Sequence, residues 1–480
     1  MAGTPMEVRR EANDFSGPTD CRVFDERNSG AFWTTMKWVV LIVLVLLVRP
    51  LSIRLRNTPD LRLRVFALAA FLPFVLGSLH LYWAVLNWGW VGYVKGAEVS
   101  LLDFIALSLY LSLPRPERRL PFRRSMAIYL AATALSAIQA MYPVAALFYL
   151  LQLGRTFLVC AAVYRGVCVD RRVPEAVLKG LAAGILLEVA VAGWQRAHGV
   201  LQTPGTFASQ NLLGMISQFV IFPFFAVILG GRRGRLAPAV VAAGLVIAVL
   251  TASRATIALD FLGLTIVFVL SALGQWTPRK TKVLWAGVAV TAVFALFAAS
   301  SLQQRFHGGP ELGLSEEDGE RLRFKRAAAE MLADHPMGVG ANHFNIVANM
   351  GGYFTRVGEL WSSGRASNVH NVYWLVAAET GYVGLVAFVA FLVPPLIAAW
   401  RCGFRHRTEP RGDLLLGLGV ALLVVYVHSF EEWIFVVLET QYLLAIVMGL
   451  VAGLTQALHY WRPKTGVPAH SPPDVRAERL

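Results

Sequence analysis

Apolar runs of roughly 17–25 residues, the length a helix needs to cross a bilayer, follow one another along nearly the whole chain. They fall at about 33–48, 65–86, 97–113, 125–142, 143–164, 176–193, 211–229, 236–252, 255–273, 283–302, 371–399, 414–430 and 433–457. Lipid gives an open backbone no hydrogen-bond partner, so such runs suit helices. One long polar stretch, 303–370, interrupts them. The pattern predicts an all-α polytopic membrane protein of about 12 transmembrane helices with both ends on one side, the short first run lying in the interface or forming a hairpin. Its expected organisation is a polar N-terminal tail at 1–30, transmembrane helices at 31–302, a polar segment with an amphipathic helix at 303–370, further transmembrane helices at 371–457 and a tail at 458–480.

Composition agrees, with 56% hydrophobic and 15% charged residues and a mean hydropathy of +0.55. The net charge of +14 raises the question of nucleic acid, but its distribution answers otherwise. Arginine and lysine crowd into short links, such as Arg115, Arg118, Arg119, Arg123 and Arg124, or Arg401, Arg405, Arg407 and Arg411. That is the positive-inside pattern, which makes these links cytoplasmic. Segment 303–370 carries seven Lys/Arg against eight Asp/Glu, so it belongs on the opposite face. Tryptophans such as Trp83, Trp194, Trp285, Trp400 and Trp433 stand at run ends, as an aromatic belt does. The cysteines, Cys21, Cys160, Cys168 and Cys402, show neither a disulfide framework nor metal-ligand spacing.

Within the polar segment, Glu316–Glu320 precedes a helical stretch at about 320–333. Carboxylates there complement the helix dipole, a simpler account than a metal site. At 100° per residue, Phe324, Ala328, Met331 and Leu332 share one face with Arg321 in its middle and Lys325 beside it. Arg323, Arg326 and Glu330 point the other way, toward solvent, with Arg326 and Glu330 one turn apart. The Pro336-Met337-Gly338-Val339-Gly340 turn ends the helix. His370 stands where the next apolar run begins, with Trp374, Ala377, Gly381 and Gly384 on its face, a stripe suited to close helix packing. Ser367 or Asn368 is placed to cap that run, whose free N–H groups would attract an anion. Arg254 lies between two runs on the same face, and Asn211 is placed to cap another. Each taken alone reads as well as a structural or interfacial residue.

Together these segments resemble the O-antigen ligase and polymerase superfamily over about 194–390. Gly205-Thr206-Phe207 with Asn211-Leu212-Leu213-Gly214 is similar to its glycine–asparagine signature. Leu250–Arg254 is similar to its Ser-Arg segment, Arg321 with Pro336–Gly340 to its arginine helix and turn, and His370-Asn371 with Glu379-Thr380-Gly381 to its most specific motif. Ala208–Gln210 lacks the proline often found before the asparagine, and Lys325 stands where an aromatic residue is common. The resemblance implies a GT-C-like fold in the bacterial inner membrane. It also implies an active site facing the periplasm, which moves a glycan from undecaprenyl pyrophosphate to a lipid-anchored acceptor. Arg254 and Arg321 would hold the diphosphate, with Lys325, Asn371, Gly205 and Asn211 lining the site, and His370 would take the proton of the attacking hydroxyl. In-line attack inverts the anomeric centre. No Asp-x-Asp pair stands in the outer segments, so neither a metal nor another cofactor is called for. Only one outer loop is long, which favours a ligase with lipid A–core oligosaccharide as acceptor over a polymerase. A protein O-oligosaccharyltransferase usually carries a further C-terminal region. A lipid-linked glycan transporter would draw on Asp103, Glu188, Asp260, Glu439, His80 and His428 as a relay, but the paired halves with broken helices expected of one are not found.

Overall fold

The computed structural model describes residues 26–87, 89–232, 234–289, 314–359, 365 and 367–460. Most of the N-terminal tail, the end of the run 283–302, the start of the polar segment and the C-terminal tail lie outside the described residues. Residues up to Leu47 form a unit of their own, whose described part is the start of helix α1 (Glu26–Asn57), and Val48 onward forms a second unit.

In the second unit, α2 (Pro59–Phe71) leads through a 3-10 turn (Leu72–Phe74) to a hairpin of β1 (Tyr82–Asn87) and β2 (Gly96–Ser100). Then come α3 (Leu101–Ser112), α4 (Arg123–Ser136), α5 (Pro143–Val169), α6 (Val173–Ala197), α7 (Gln210–Leu229), α8 (Leu236–Thr251) and α9 (Arg254–Gly274). The polar segment supplies α10 (Leu314–Asp334), α11 (Phe344–Met350) and α12 (Tyr353–Arg356), and α13 (Val372–Arg405), α14 (Pro410–His428) and α15 (Leu438–Tyr460) complete the chain. Prolines in the first turn of α2, α5, α6 and α14 start those helices where no N–H is missed. Eight described helices are long and apolar enough to cross a membrane, and α3 and α8 are shorter apolar ones. The expected number of about 12 is therefore not reached by length and composition among the described residues.

The clearest departure from the expected runs is at 65–86. Helix stops at Phe71, because Pro73 follows and the chain turns at Gly77–His80. Tyr82-Trp83-Ala84-Val85-Leu86 then pairs antiparallel with Gly96–Ser100, with an irregularity between Ala84 and Leu86. Aromatic and branched residues favour such a strand, and their apolarity hid it inside a spanning run. Ser100 closes the hairpin as the N-cap of a capping box with Asp103.

Successive helices alternate in direction and divide the unit into two ends. One end gathers the arginine-rich links. Arg172 pairs with Asp60 and Asp170, Arg232 pairs with Glu175, and Arg279 donates to the Arg232 carbonyl. The other end gathers the starts of α5, α7, α9, α13 and α15, the hairpin and the polar segment. There the polar segment builds its own apolar core, in which Phe324, Ala327, Ala328 and Met331 of α10 pack with Phe344, Phe354, Val369 and Leu375. The expected buried face of α10 is thus present, and the helix starts earlier than expected, at Leu314.

A kink fixes this small core to the bundle. Gly381 takes φ 69° and ψ −172° inside α13, a conformation open to glycine and strained for other residues. The kink leaves carbonyls without helical partners. Val339 N–H donates to Ala378 O at 3.1 Å, Gly340 N–H to Glu379 O at 2.8 Å, and Tyr382 N–H to Pro336 O at 3.1 Å. A Cβ on Gly381 would meet the Met337 carbonyl carbon at 2.4 Å, and one on Gly338 would meet Glu379 O at 2.3 Å. The turn and the Glu379-Thr380-Gly381 segment therefore fit as one piece. The buried Glu379 carboxylate extends the joint, accepting from Phe344 N–H at 3.0 Å and from the Tyr93 hydroxyl at 2.7 Å. Asn342 adds bonds to both backbone groups of Val94.

Candidate active site

Arg321 and Lys325 lie one turn apart on α10, so their heads project side by side. Both reach Glu431, in the link between α14 and α15. Arg321 Nη1 is 3.3 Å from Oε2 and Lys325 Nζ is 3.0 Å from Oε1. Arg321 thus turns toward a neighbouring loop and not into the apolar core below it. Arg323 departs from its expected solvated role, because its Nε donates to the buried Glu359 carboxylate at 2.6 Å. Arg326 is exposed and forms no ion pair with Glu330.

His370 is brought close to this pair of cations. Its ring stacks on the Trp433 indole, with centroids 4.1 Å apart and planes tilted by 29°. Trp433 is held in turn by its Nε1–H, which donates to Val369 O at 2.6 Å. The Nδ1 atom of His370 is buried and has no hydrogen-bond partner among the described residues. Burial, then the positive charges of Arg321 and Lys325, push its pKa down to about 4. The imidazole is therefore neutral at neutral pH, with a lone pair to accept a proton. Asn371, next to it, is the N-cap of α13. Its Oδ1 accepts from Trp374 N–H and its Nδ2 donates to Phe430 O, both at 3.0 Å. The cap is thus neither Ser367 nor Asn368. Val372 N–H donates to Ser429 O, so protein groups take the N–H groups of both Val372 and Trp374 in the first turn of α13. Asn371 binds the site together, with both ends of its amide committed.

The link 429–437 brings a residue that the apolar pattern did not single out. Glu432 is buried and hydrogen-bonded to Asn211. Burial raises its pKa to about 7, against a lowering by Arg321 and the Asn211 bond and a raising by Glu431. Asn211 itself lies in the first turn of α7. The cap there is Ser209, whose hydroxyl accepts from Leu212 N–H. The available signal was Glu431-Glu432-Trp433, two carboxylates and an aromatic ring between two spanning runs on the face of His370.

Arg254 opens α9 behind its cap Ser253. It is exposed, and among the described residues it forms no ion pair or hydrogen bond. It enters neither the contacts of Glu431 nor the electrostatics of His370. Its level along the bundle is set by Thr256 against Gly214 and by Gln218 Nε2, which donates to Asp260 Oδ1 at 3.0 Å. That register puts Arg254 beside the first turn of α7, where Asn211 sits. Gly205 is buried at φ 65°. Its N–H and carbonyl pair with the Gln195 amide at 2.9 and 2.7 Å, and a Cβ there would lie 2.3 Å from Glu188 Oε2. Its place is a tight turn held by Gln195 and packed on Glu188 and Leu213.

Three of the four carboxylates considered for a relay have partners. Asp103 binds Arg155 and Tyr442, and Glu188 binds Thr206. Asp260 joins Gln218, whose Oε1 faces His428 Nδ1 at 2.9 Å. Among the described residues no group of three or more His, Cys, Asp or Glu side chains is placed to hold a metal.

Residues 239–389, about a third of the chain, match the family model described as O-antigen ligase. The matched stretch contains Arg254, Arg321, Lys325, His370 and the joint between Pro336–Gly340 and Glu379–Gly381, while Glu431–Trp433 and Asn211 lie outside it. No curated protein matches the chain. Over that stretch the chain is similar to the O-antigen ligase family, and its long apolar helices accord with a membrane protein.

Proposed function

We propose that the protein is an O-antigen ligase. It transfers a glycan from undecaprenyl pyrophosphate to lipid A–core oligosaccharide on the periplasmic side of the inner membrane. The observation that carries this reading is the placement of a neutral His370 beside Arg321 and Lys325 at the end of the bundle remote from the arginine-rich links. Those links mark the cytoplasmic end, so the site opens on the other side.

A diphosphate leaving group concentrates negative charge, and guanidinium and ammonium groups bind its oxygens through charge-assisted bonds. In this reading Arg321 and Lys325 grip the diphosphate, and the exposed Arg254 reaches it from the neighbouring helix. An acceptor hydroxyl oxygen attacks the anomeric carbon as the carbon–oxygen bond to the diphosphate breaks. The electron pair leaves with the diphosphate, and the hydroxyl proton passes to His370. Cations positioned for the developing charge lower the barrier electrostatically. The negative donor also offsets the charges that depress the His370 pKa, so donor binding makes the imidazole a stronger base.

The test is a purified transfer assay with lipid-linked donor and either lipid A–core or a second lipid-linked glycan. Product mass on the first acceptor supports the ligase. Product on the second alone makes the protein a polymerase. His370→Ala, Arg321→Ala and Arg254→Ala are each expected to abolish transfer, and full activity in His370→Ala overturns the proposed chemistry.

A further inference from the structure

Glu431 sits where a ligand anion would be expected. Its two carboxylate oxygens are divided between two cations, Oε2 toward Arg321 and Oε1 toward Lys325. That is the two-point contact a diphosphate makes with a pair of positive groups. Resting on the functional reading above, we propose that Glu431 is a displaceable stand-in for the donor's diphosphate. It neutralises the cation pair while the site is empty, yields to the donor, and returns as the lipid diphosphate leaves.

The surroundings allow this one side chain to move while the rest stays in place. The two cations are carried by a helix that is locked into an apolar core through Phe324, Ala328 and Met331, on the same side and further along. The link bearing Glu431 is anchored on both sides. Ser429 O accepts from Val372 N–H, Phe430 O from Asn371 Nδ2, and Glu432 is buried against Asn211. Trp433 is fixed by Val369 O and the His370 ring. Glu431 itself is 43% exposed, against 21% for Arg321 and 26% for Lys325, so its carboxylate can swing into water without moving the backbone. Ion pairs this exposed are weak, and exchanging a single carboxylate charge for a diphosphate favours the ligand. The adjacent glutamates thus divide the work. Glu432 is buried and holds the link to α7, while Glu431 is open and holds the cations.

The role predicts that removing the charge tightens binding, the opposite of what loss of a ligand-binding residue does. The experiment measures binding of geranylgeranyl diphosphate to the full chain in neutral-lipid nanodiscs, with inorganic pyrophosphate as a second probe. Wild type, Glu431→Gln, Glu431→Ala, Glu431→Asp and Arg321→Gln are compared. Glu431→Gln and Glu431→Ala are expected to lower the Kd for both probes by roughly three- to tenfold, the size set by two partly exposed ion pairs, and to slow release. Glu431→Asp keeps the charge and stays near wild type, and Arg321→Gln weakens binding. Two uncharged replacements keep the test informative if one misfolds. Unchanged or weaker binding in both, with wild type binding and Arg321→Gln impaired, overturns the stand-in role and leaves the ligase reading intact. If neither wild type nor Glu431→Gln binds the lipid diphosphate, the ligase reading itself fails.

Discussion

The Trp433 indole covers one face of the His370 imidazole, ring centre to ring centre at 4.1 Å, and its own N–H is anchored on Val369, the residue before the histidine. Ring and anchor together fix where the imidazole points. Aromatic pairs of this kind contribute about 0.5–1.5 kcal/mol beyond buried area. Trp433→Ala is therefore expected to lower the transfer rate by roughly three- to tenfold or more, and Trp433→Phe by less. Comparison of kcat in the purified assay checks it, and equal rates in all three proteins refute a positioning role for the indole.

The His370 pKa carries a signature of its two neighbours. Burial is the larger cause of its depression to about 4, and the charges of Arg321 and Lys325 add to it. Lys325→Gln removes one charge, so the pKa is expected to rise but to stay below 6.5, because burial persists. An NMR titration of ring-labelled histidine in the empty protein measures this directly. A pKa unmoved by Lys325→Gln, or moved downward, contradicts the arrangement.

Glu432 makes the opposite kind of contribution. Its folded pKa of about 7 lies above the 4.5 of an ordinary glutamate, so the folded state holds its proton more tightly than the unfolded chain. Stability from this group is present at low pH and is lost as pH rises from about 4.5 to 7. The loss is at most about 3 kcal/mol, from a shift of this size. Glu432→Gln keeps a bond to Asn211 open and removes the charge. It is expected to flatten the dependence of unfolding on pH between pH 5 and 8 and to raise stability at pH 8. A wild-type protein equally stable at both ends of that range argues against a buried, proton-holding Glu432.

Arg323 and Arg321 should fail differently. Arg323→Ala leaves Glu359 buried without its cation, and breaking a buried pair costs about 3–5 kcal/mol, less here because the Arg323 side chain is 35% exposed. Thermal stability is expected to fall while activity per folded molecule is kept. Arg321→Ala is expected to lose transfer with a smaller change in stability. Unfolding curves run beside the transfer assay separate the two effects, and matched losses of activity from both variants would mean that α10 presents a different face to the donor.

The transfer chemistry proposed needs no metal, since two or three side-chain cations meet the diphosphate. Full rate is expected after exhaustive chelation. A loss on chelation that returns with a divalent ion would remove the side chains from that role.

How far the sequence could be read depended on how local the deciding interaction is. Helices α5, α7 and α14 were legible because each is long and apolar enough, on average, to span a membrane. The apolar face of α10 was legible because a 3.6-residue period marks it within a polar segment. The β1 strand was not, since Tyr82–Leu86 is as apolar as a span and only the partner at Gly96–Ser100 makes it a strand. Caps were found to within a few residues but misassigned, to Asn211 where Ser209 acts and to Ser367 or Asn368 where Asn371 acts. These side chains share one chemistry, and backbone geometry chooses among them. The partners of Arg321 and Arg323 were out of reach. Glu431 is 110 residues from Arg321 and Glu359 is 36 from Arg323, and no periodicity links positions so far apart.

The break in α13 at Gly381 bears on motion. Three backbone bonds stitch Pro336–Gly340 across it, so α10 and the opening turns of α13 travel as a single block. Tyr382 N–H, beyond the glycine, is one of the three donors, so any closing movement over a long lipid-borne glycan must carry Arg321, Lys325 and His370 together with α13 on both sides of the break. The cations and the base then keep their spacing throughout a turnover, and it is the acceptor that must find them.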